Sequence, residues 1–539
     1  MRLILASILI SAACVWGQDD HQHHEHTAAR LGSVNFSISC TPAAQAQFTR
    51  AVALLHSFGY EEARLAFNDV ETTDPHCAMA HWGIAMSWYH PIWAPPTMHD
   101  LEQGAAASER AVAIPAGTAR EKDFIGALAL FYKNWRTVDH PTRATAYEKA
   151  MAQVHRRYPS DDEATIFYAL AIRGNLDQAD MTYAKQKQAA QLLNAVLPQN
   201  PNHPGVAHYL IHSYDYPALA ELALPAARAY AKIAPDAPHA LHMPSHIFTR
   251  LGLWEDSIGS NIASAKSAQE RAARMHPGAG SFDELHAMDY LVYAYLQEAR
   301  DASARRVLEE MARMIKLDEE QPAAAYSFAA APQRYALERH DWKASARIEP
   351  GPAWFDWKPH PQFAAVAHYA RAIGAARAGE LALARREIDT LAELQKHVPP
   401  AKDYDWSSAL AAQRETAEAL LAFAEDRKSE ALAALRKAAD HEDAVDKHAI
   451  SPGAILPARE ILGDLLLETG ANSDALAAYE SALKIAPHRF NSVAGAARAA
   501  QLTGDRIKAR GYYLDLIRLG DHAESPRPQL TEARAYLAK

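Results

Sequence analysis

At 539 residues the chain is longer than one compact core needs, so several domains or an elongated repeat array are expected. An apolar content of 49% beside 22% charged residues excludes a largely disordered chain. A net charge of −10 without a long basic run excludes a nucleic-acid footprint, and leaves the body of the protein nothing to offer an anionic membrane surface.

The first element in chain order is an export signal over residues 1–17. Arg2 supplies the positive charge, and "LILASILISAACVW" supplies an apolar run too short for a membrane span. A periplasmic or secreted location follows. A lipid anchor on Cys14 is the runner-up, because "ISAAC" loosely resembles a lipoprotein box with Ser11 in place of the usual Leu. No later segment is long and apolar enough to be a transmembrane span. Residues 18–39 read as a His-rich disordered leader, in which "DDHQHHEH" (His21, His23, His24, His26) has the composition of a weak transition-metal tract. Cys40 and Cys77 then remain; an oxidising compartment favours a disulfide between them, weighed evenly against two buried thiols.

Helical periodicity with short polar joints runs through the remainder, and strand-like alternation is nowhere sustained. "GYEEARLAFNDVETTDP" places Ala63, Phe67 and Pro75 at the end of one unit, before a first helix in "MAHWGIAMSWY". The aromatics of "HCAMAHWGIAMSWYHPIW" read as core, with Trp88 and Trp93 as alternative groove contacts and His56 and His90 joining a site only if the chain curls back. Near the C-terminus, Leu462 and Gly463 precede Ala475, Tyr479, Ala482 and Pro487, and Ala509 and Tyr513 repeat the pattern one period of about 34 residues later. Small residues allow two antiparallel helices to approach, and the aromatic fills the gap beside them.

This pattern resembles that of tetratricopeptide repeat (TPR) proteins over most of residues 40–535, and with the export signal the chain looks like an exported bacterial member of that group. The expectation is an all-α, tetratricopeptide-type α-solenoid of stacked antiparallel helix pairs. The divisions expected are N-terminal repeats with a His-lined groove (40–270), middle repeats (271–345), a Pro/Trp-rich loop (346–362) and C-terminal repeats (363–539).

Histidines concentrate in the centre. Taking units to begin at Pro204 and Pro238 puts His208 and His212 at the fifth and ninth positions of one unit, His242 and His246 at the same positions of the next, and His239 at its second. The resemblance implies that such positions face a concave ligand groove. Independently, residues four apart share a helix face, and helices stacked about 8–10 Å apart can bring imidazoles from both sides together. "FDELHAMDYLVYAYLQ" aligns His286 with His208 and His242, with Tyr290 in place of a second histidine. Asp215, Glu284 and Asp289 offer nearby carboxylates, and Asp215, Arg250 and Tyr290 are taken as groove residues. Pro244 either kinks its helix or starts it.

Two or three neutral imidazoles with a carboxylate suit zinc or copper, and an open position would permit Lewis-acid or hydrolytic chemistry. The alternative is a set of histidines bonded to carboxylates and tyrosines, or touching a peptide. "DHEDAVDKHAISPG", with His441, Asp446 and His448, reads as a solvated face near a turn. No nucleophile elbow, glycine-rich phosphate loop or HExxH motif is present, which favours binding over catalysis. Two functions are thus expected to compete: a scaffold holding a peptide or partner protein, and a zinc or copper protein, with enzymatic activity the further alternative.

Overall fold

The computed structural model describes residues 30–539 apart from 93–94, 178–179 and 401–403. The export signal, Cys14, the histidine tract at 21–26 and Trp93 lie outside the described residues. Among the described residues 26 helices follow one another, and the only β pairing is an isolated bridge between Gly280 and Leu317. None of these helices is long and apolar enough to cross a membrane. They stack as antiparallel pairs, such as Pro42–His56 with Tyr60–Thr73 and Ala458–Glu468 with Asn472–Ile485. The fold is a tetratricopeptide-type α-solenoid.

The small-plus-aromatic signature has a direct steric cause. Tyr479 is fully buried, and a Cβ on Gly463 would stand 2.7 Å from its ring, so only glycine lets these two helices meet. Helix starts are marked by side chains that satisfy free backbone amides. Thr118 and Glu121 form a reciprocal capping box, and Asp161 accepts from the Ala164 amide.

Residues 30–39 do not belong to a disordered leader, contrary to the expected 18–39 division. Phe36 is 1% exposed and its ring meets those of Phe48, Trp82 and Phe124 at 5.0–5.4 Å, while Arg120 lies over it. Cys40 and Cys77 are bonded, which ties the start of the Pro42–His56 helix to the start of the Ala78–Tyr89 helix. Another correction concerns the boundary expected between 270 and 271. Two hydrophobic cores hand over between Leu253 and Trp254 instead. The reason is that the Trp254–Met275 helix packs with both the 238–250 segment before it and the Phe282–Gln297 helix after it, so no seam opens at its end.

The superhelix also closes on itself. Trp254 Nε1 donates to the carbonyl of His488 at 2.9 Å, the Arg250 guanidinium grips Asp446, and His276 meets Glu61 at 3.0 Å. Buried Arg489 lies between Glu460 and Glu338, at 2.7 and 2.6 Å, and Arg334 donates to the carbonyls of Gly453 and Ala454. The bonds from Arg250 to Asp446 and from Arg334 to residues 453 and 454 hold the 446–457 connection against the concave side.

Phe36→Ala should lower stability by about 3–5 kcal/mol in urea unfolding, as for other fully buried phenylalanines. A change below about 0.5 kcal/mol would return this segment to the status of a loose leader.

Candidate metal centre

The six central histidines converge, and none is more than 6% exposed. The Pro204–Tyr214 helix stacks His208 and His212 one turn apart. The next first helix is split into Pro238–His242 and Pro244–Arg250, with Met243 between them still in right-handed helical conformation. Pro244 therefore kinks the helix, because it has no N–H to donate back to Ala240. His239, His242 and His246 all remain on helical turns, and His286 arrives from Phe282–Gln297.

Convergence takes the form of two triads, His208/His212/His239 and His242/His246/His286, each with its ligand nitrogens within 4.8 Å of one another. His208 is common to the close contacts of the first: its Nε2 lies 3.1 Å from Nε2 of both His212 and His239. In the second, Nε2 of His242 and Nε2 of His246 are 3.0 Å apart. The two triads are neighbours, with ring centroids 6.3 Å apart for His239 and His242 and 6.5 Å for His212 and His246.

The outer hydrogen bonds decide which nitrogens carry protons. His208 Nδ1 faces the His56 carbonyl at 2.7 Å; a carbonyl only accepts, so Nδ1 is the protonated nitrogen. His246 Nδ1 donates in the same way to Asp215 Oδ2 at 2.9 Å. His242 Nδ1 donates to Asn261 Oδ1 at 2.7 Å, since the Asn261 amide group is committed to the Ser257 carbonyl. All three rings, when neutral, therefore turn a bare Nε2 lone pair inward. Protonating them is opposed by burial, which drives His242 well below its ordinary pKa and His208 down to about 3. Two lone pairs 3.0 Å apart repel, and a cation between them turns the repulsion into coordination. His286 Nδ1 adds a buried nitrogen without a hydrogen-bond partner.

A third group, His56, Glu163 and His203, differs in this respect. Each carboxylate oxygen of Glu163 accepts from one imidazole Nε2 at 3.0 Å, and His56 Nδ1 accepts from the Tyr209 hydroxyl at 2.9 Å. Electrostatic attraction to these two rings and the hydrogen bonds they donate hold the Glu163 carboxyl well below its usual range although burial opposes it. Its shared bonds are satisfied by protons already present, and its role is to fix the backbone carbonyl that orients His208. Gly205 permits this, since a Cβ there would stand 2.6 Å from His56 Nδ1.

The walls are aromatic. Phe58, held at φ +56°, packs on all three rings of the first triad, with centroids 4.3–5.6 Å away; Tyr230 stacks on His208 and Tyr290 on His246. On the open side stands a charged clamp. Arg250 bonds Asp215 through Nε at 2.9 Å and Asp446 through both terminal nitrogens at 2.8 and 2.9 Å. Lys447 Nζ is 3.6 Å from Asp215, and burial lowers its pKa to about 8. Burial alone would raise the Asp215 carboxyl, but Lys447 and Arg250 hold it well below its usual range. The Tyr290 hydroxyl donates to the carbonyls of Ala449 and Ser451. The 446–451 segment is thus a cover over the site, not the solvated face its charge pattern predicts. Beside it lies a cavity of about 230 Å³ lined in part by Tyr183, Arg250, Tyr404, Trp406, Lys447 and His448.

Several expected partners are elsewhere. Asp289 faces Arg334 at 3.3 Å, Glu284 caps its own helix near Ser281, and His90 lies 3.7 Å from Asp100. His441 bonds Ser408 and Glu415. Sequence reading missed Asn261, Phe58, Glu163 and Lys447 as neighbours of the histidines. Asn261 carried one signal, as a polar residue at a repeat position where an aromatic is usual.

No protein-family model matches the chain, and no curated protein matches it. Solved structures with a similar arrangement of helices include a monomeric mutant of IFIT1 with Gppp-AAAA, at 13% identity and a TM-score of 0.40. They also include human IFIT1 dimers with PPP-AAAA and with m7Gppp-AAAA, both at 14% identity and a TM-score of 0.39. Each alignment covers 82% of this chain and 90% of the other.

Arg250→Ala would leave Asp215 buried with Lys447 as its remaining counter-charge and without its Nε hydrogen bond, a loss of about 3–5 kcal/mol. Amide exchange should quicken across 445–457 while the Pro42–His56 helix keeps its protection; unchanged exchange in the cover would show that the clamp does not hold it.

Proposed function

We propose that this is an exported tetratricopeptide-type protein whose histidine centre binds a transition metal, zinc or copper. One observation carries the reading: the inward Nε2 lone pairs of His242 and His246, 3.0 Å apart, on rings whose Nδ1 protons are committed to Asn261 and Asp215. Metal-bound histidines are oriented by outer hydrogen bonds of this kind. Zinc sits about 2.0–2.1 Å from an imidazole nitrogen, so one ion can occupy the space between these two.

The apolar N-terminal run and the Cys40–Cys77 bond support placing the protein outside the cytoplasm, periplasmic or secreted, with lipid attachment at Cys14 as the alternative. A peptide laid along an open histidine groove has less support, since the histidines are buried beneath 446–451. Metal-dependent catalysis draws support from the adjoining cavity, which shares Arg250 and Lys447 with the wall of the second triad and is large enough for a small organic molecule.

Elemental analysis of protein purified without an affinity tag should find at least one equivalent of zinc or copper. It should persist when residues 19–26 are deleted and be lost in His208→Ala/His242→Ala. Asn261→Leu should weaken binding by about 10–100-fold. Metal absent from every form after reloading with either ion would overturn the reading.

A further inference from the structure

We propose that the two triads form one dinuclear copper centre that binds dioxygen between its ions. The inference rests on the metal-binding reading above and goes further, to the number of ions, their identity and their ligand.

Stoichiometry comes first. Each triad supplies three donors of its own and shares none with the other, so two ions are called for. Three protein donors leave one position of a tetrahedral ion open. Rings from different triads lie 6.3 and 6.5 Å apart, hardly more than the 5.9 Å between His246 and His286 within one triad. Ions seated in the two triads would therefore be neighbours, and paired metal ions that share one bridging ligand stand about 3.5–4 Å apart.

Charge then selects the metal. All six donors are neutral imidazoles, and the one buried carboxylate bonded to them, Asp215, already faces Arg250 and Lys447. A pair of zinc ions would place four uncompensated positive charges here. A pair of Cu(I) ions places two, with about a quarter of the mutual repulsion at the same separation. Imidazole suits copper, and the packing of Phe58, Tyr230 and Tyr290 on the rings keeps the surroundings apolar, which favours the lower charge.

The bridging ligand follows from the same balance. Two Cu(I) ions each transfer one electron to one dioxygen molecule, whose π bond is broken as it takes up the pair. The products are two Cu(II) ions and a bridging dianion. No proton is consumed, no further reductant is needed, and the site carries two net positive charges before and after. Reversal returns the electrons to copper and releases dioxygen.

The test uses the full chain and a form lacking residues 19–26, stripped of metal, loaded anaerobically with Cu(I) and then exposed to oxygen. The expected result is two copper ions per chain beyond those of the leader. Oxygenated protein should give no Cu(II) electron paramagnetic resonance, because the two spins pair, and a near-ultraviolet absorption that disappears under vacuum. His239→Ala and His286→Ala, each checked for helix content, should keep one copper, show an ordinary Cu(II) signal after chemical oxidation, and lose reversible oxygen uptake. A single copper per chain, two coppers with full Cu(II) signal intensity, or zinc that copper does not replace would overturn this proposal and leave the metal-binding reading standing. Failure to bind any metal would overturn both. If a variant unfolds, the spin count of the unsubstituted protein still decides.

Discussion

Everything around the centre follows from withdrawing six imidazoles from water while tying down the outer nitrogen of at least three of them. In water a histidine escapes lone-pair repulsion by taking up a proton. Here burial disfavours the imidazolium, and the His56 carbonyl, Asn261 and Asp215 remove the freedom to switch tautomer. A neutral polar cluster that cannot satisfy itself is costly in an interior, and such clusters persist where a ligand completes them. The Glu163 group shows the contrast within the same chain, because there both inward imidazole nitrogens already meet a carboxylate oxygen.

Placing such a cluster inside a solenoid sets a second problem, since the concave side of stacked helix pairs is open to solvent. The chain answers by folding a distant connection back across it. Asp446 reaches Arg250 from 196 residues away, Ala449 and Ser451 accept from Tyr290, and Arg334 pins the backbone at 453 and 454. Arg250 is the joint in this arrangement, as it serves the carboxylate that orients His246 and the carboxylate that fastens the cover. Order in the centre and closure of the superhelix thus meet in the bonds of Arg250.

Much of the fold was legible because helical repeats are local. Gly463 with Tyr479, and the recurrence at Ala509 and Tyr513, announce helix pairs through contacts made within one period of chain. The His208/His212 and His242/His246 spacings were legible for the same reason, one turn of helix being a local distance. His286 was found by repeat alignment. Asp289 and Glu284, within three residues of His286 in sequence, were wrong as partners because they point along other directions of the same helix, toward Arg334 and toward the helix start. The boundary expected near 270 failed because the long Trp254–Met275 helix bridges what proline and glycine after it seemed to separate.

By itself, then, the sequence determined the all-helical repeat architecture and the stacking of histidines along individual helix faces, while the pairing of Cys40 with Cys77 was left to the structure. The architecture and the stacking each depend on periodicity over a few tens of residues, which side-chain spacing records. Tertiary structure alone decided that the six histidines divide into two triads, which nitrogen of each oriented ring turns inward, and that an acidic and basic stretch near residue 446 becomes a lid. Those outcomes depend on the curvature of the superhelix, the sum of small rotations between many helix pairs, and no local pattern encodes where such a sum brings two distant segments together.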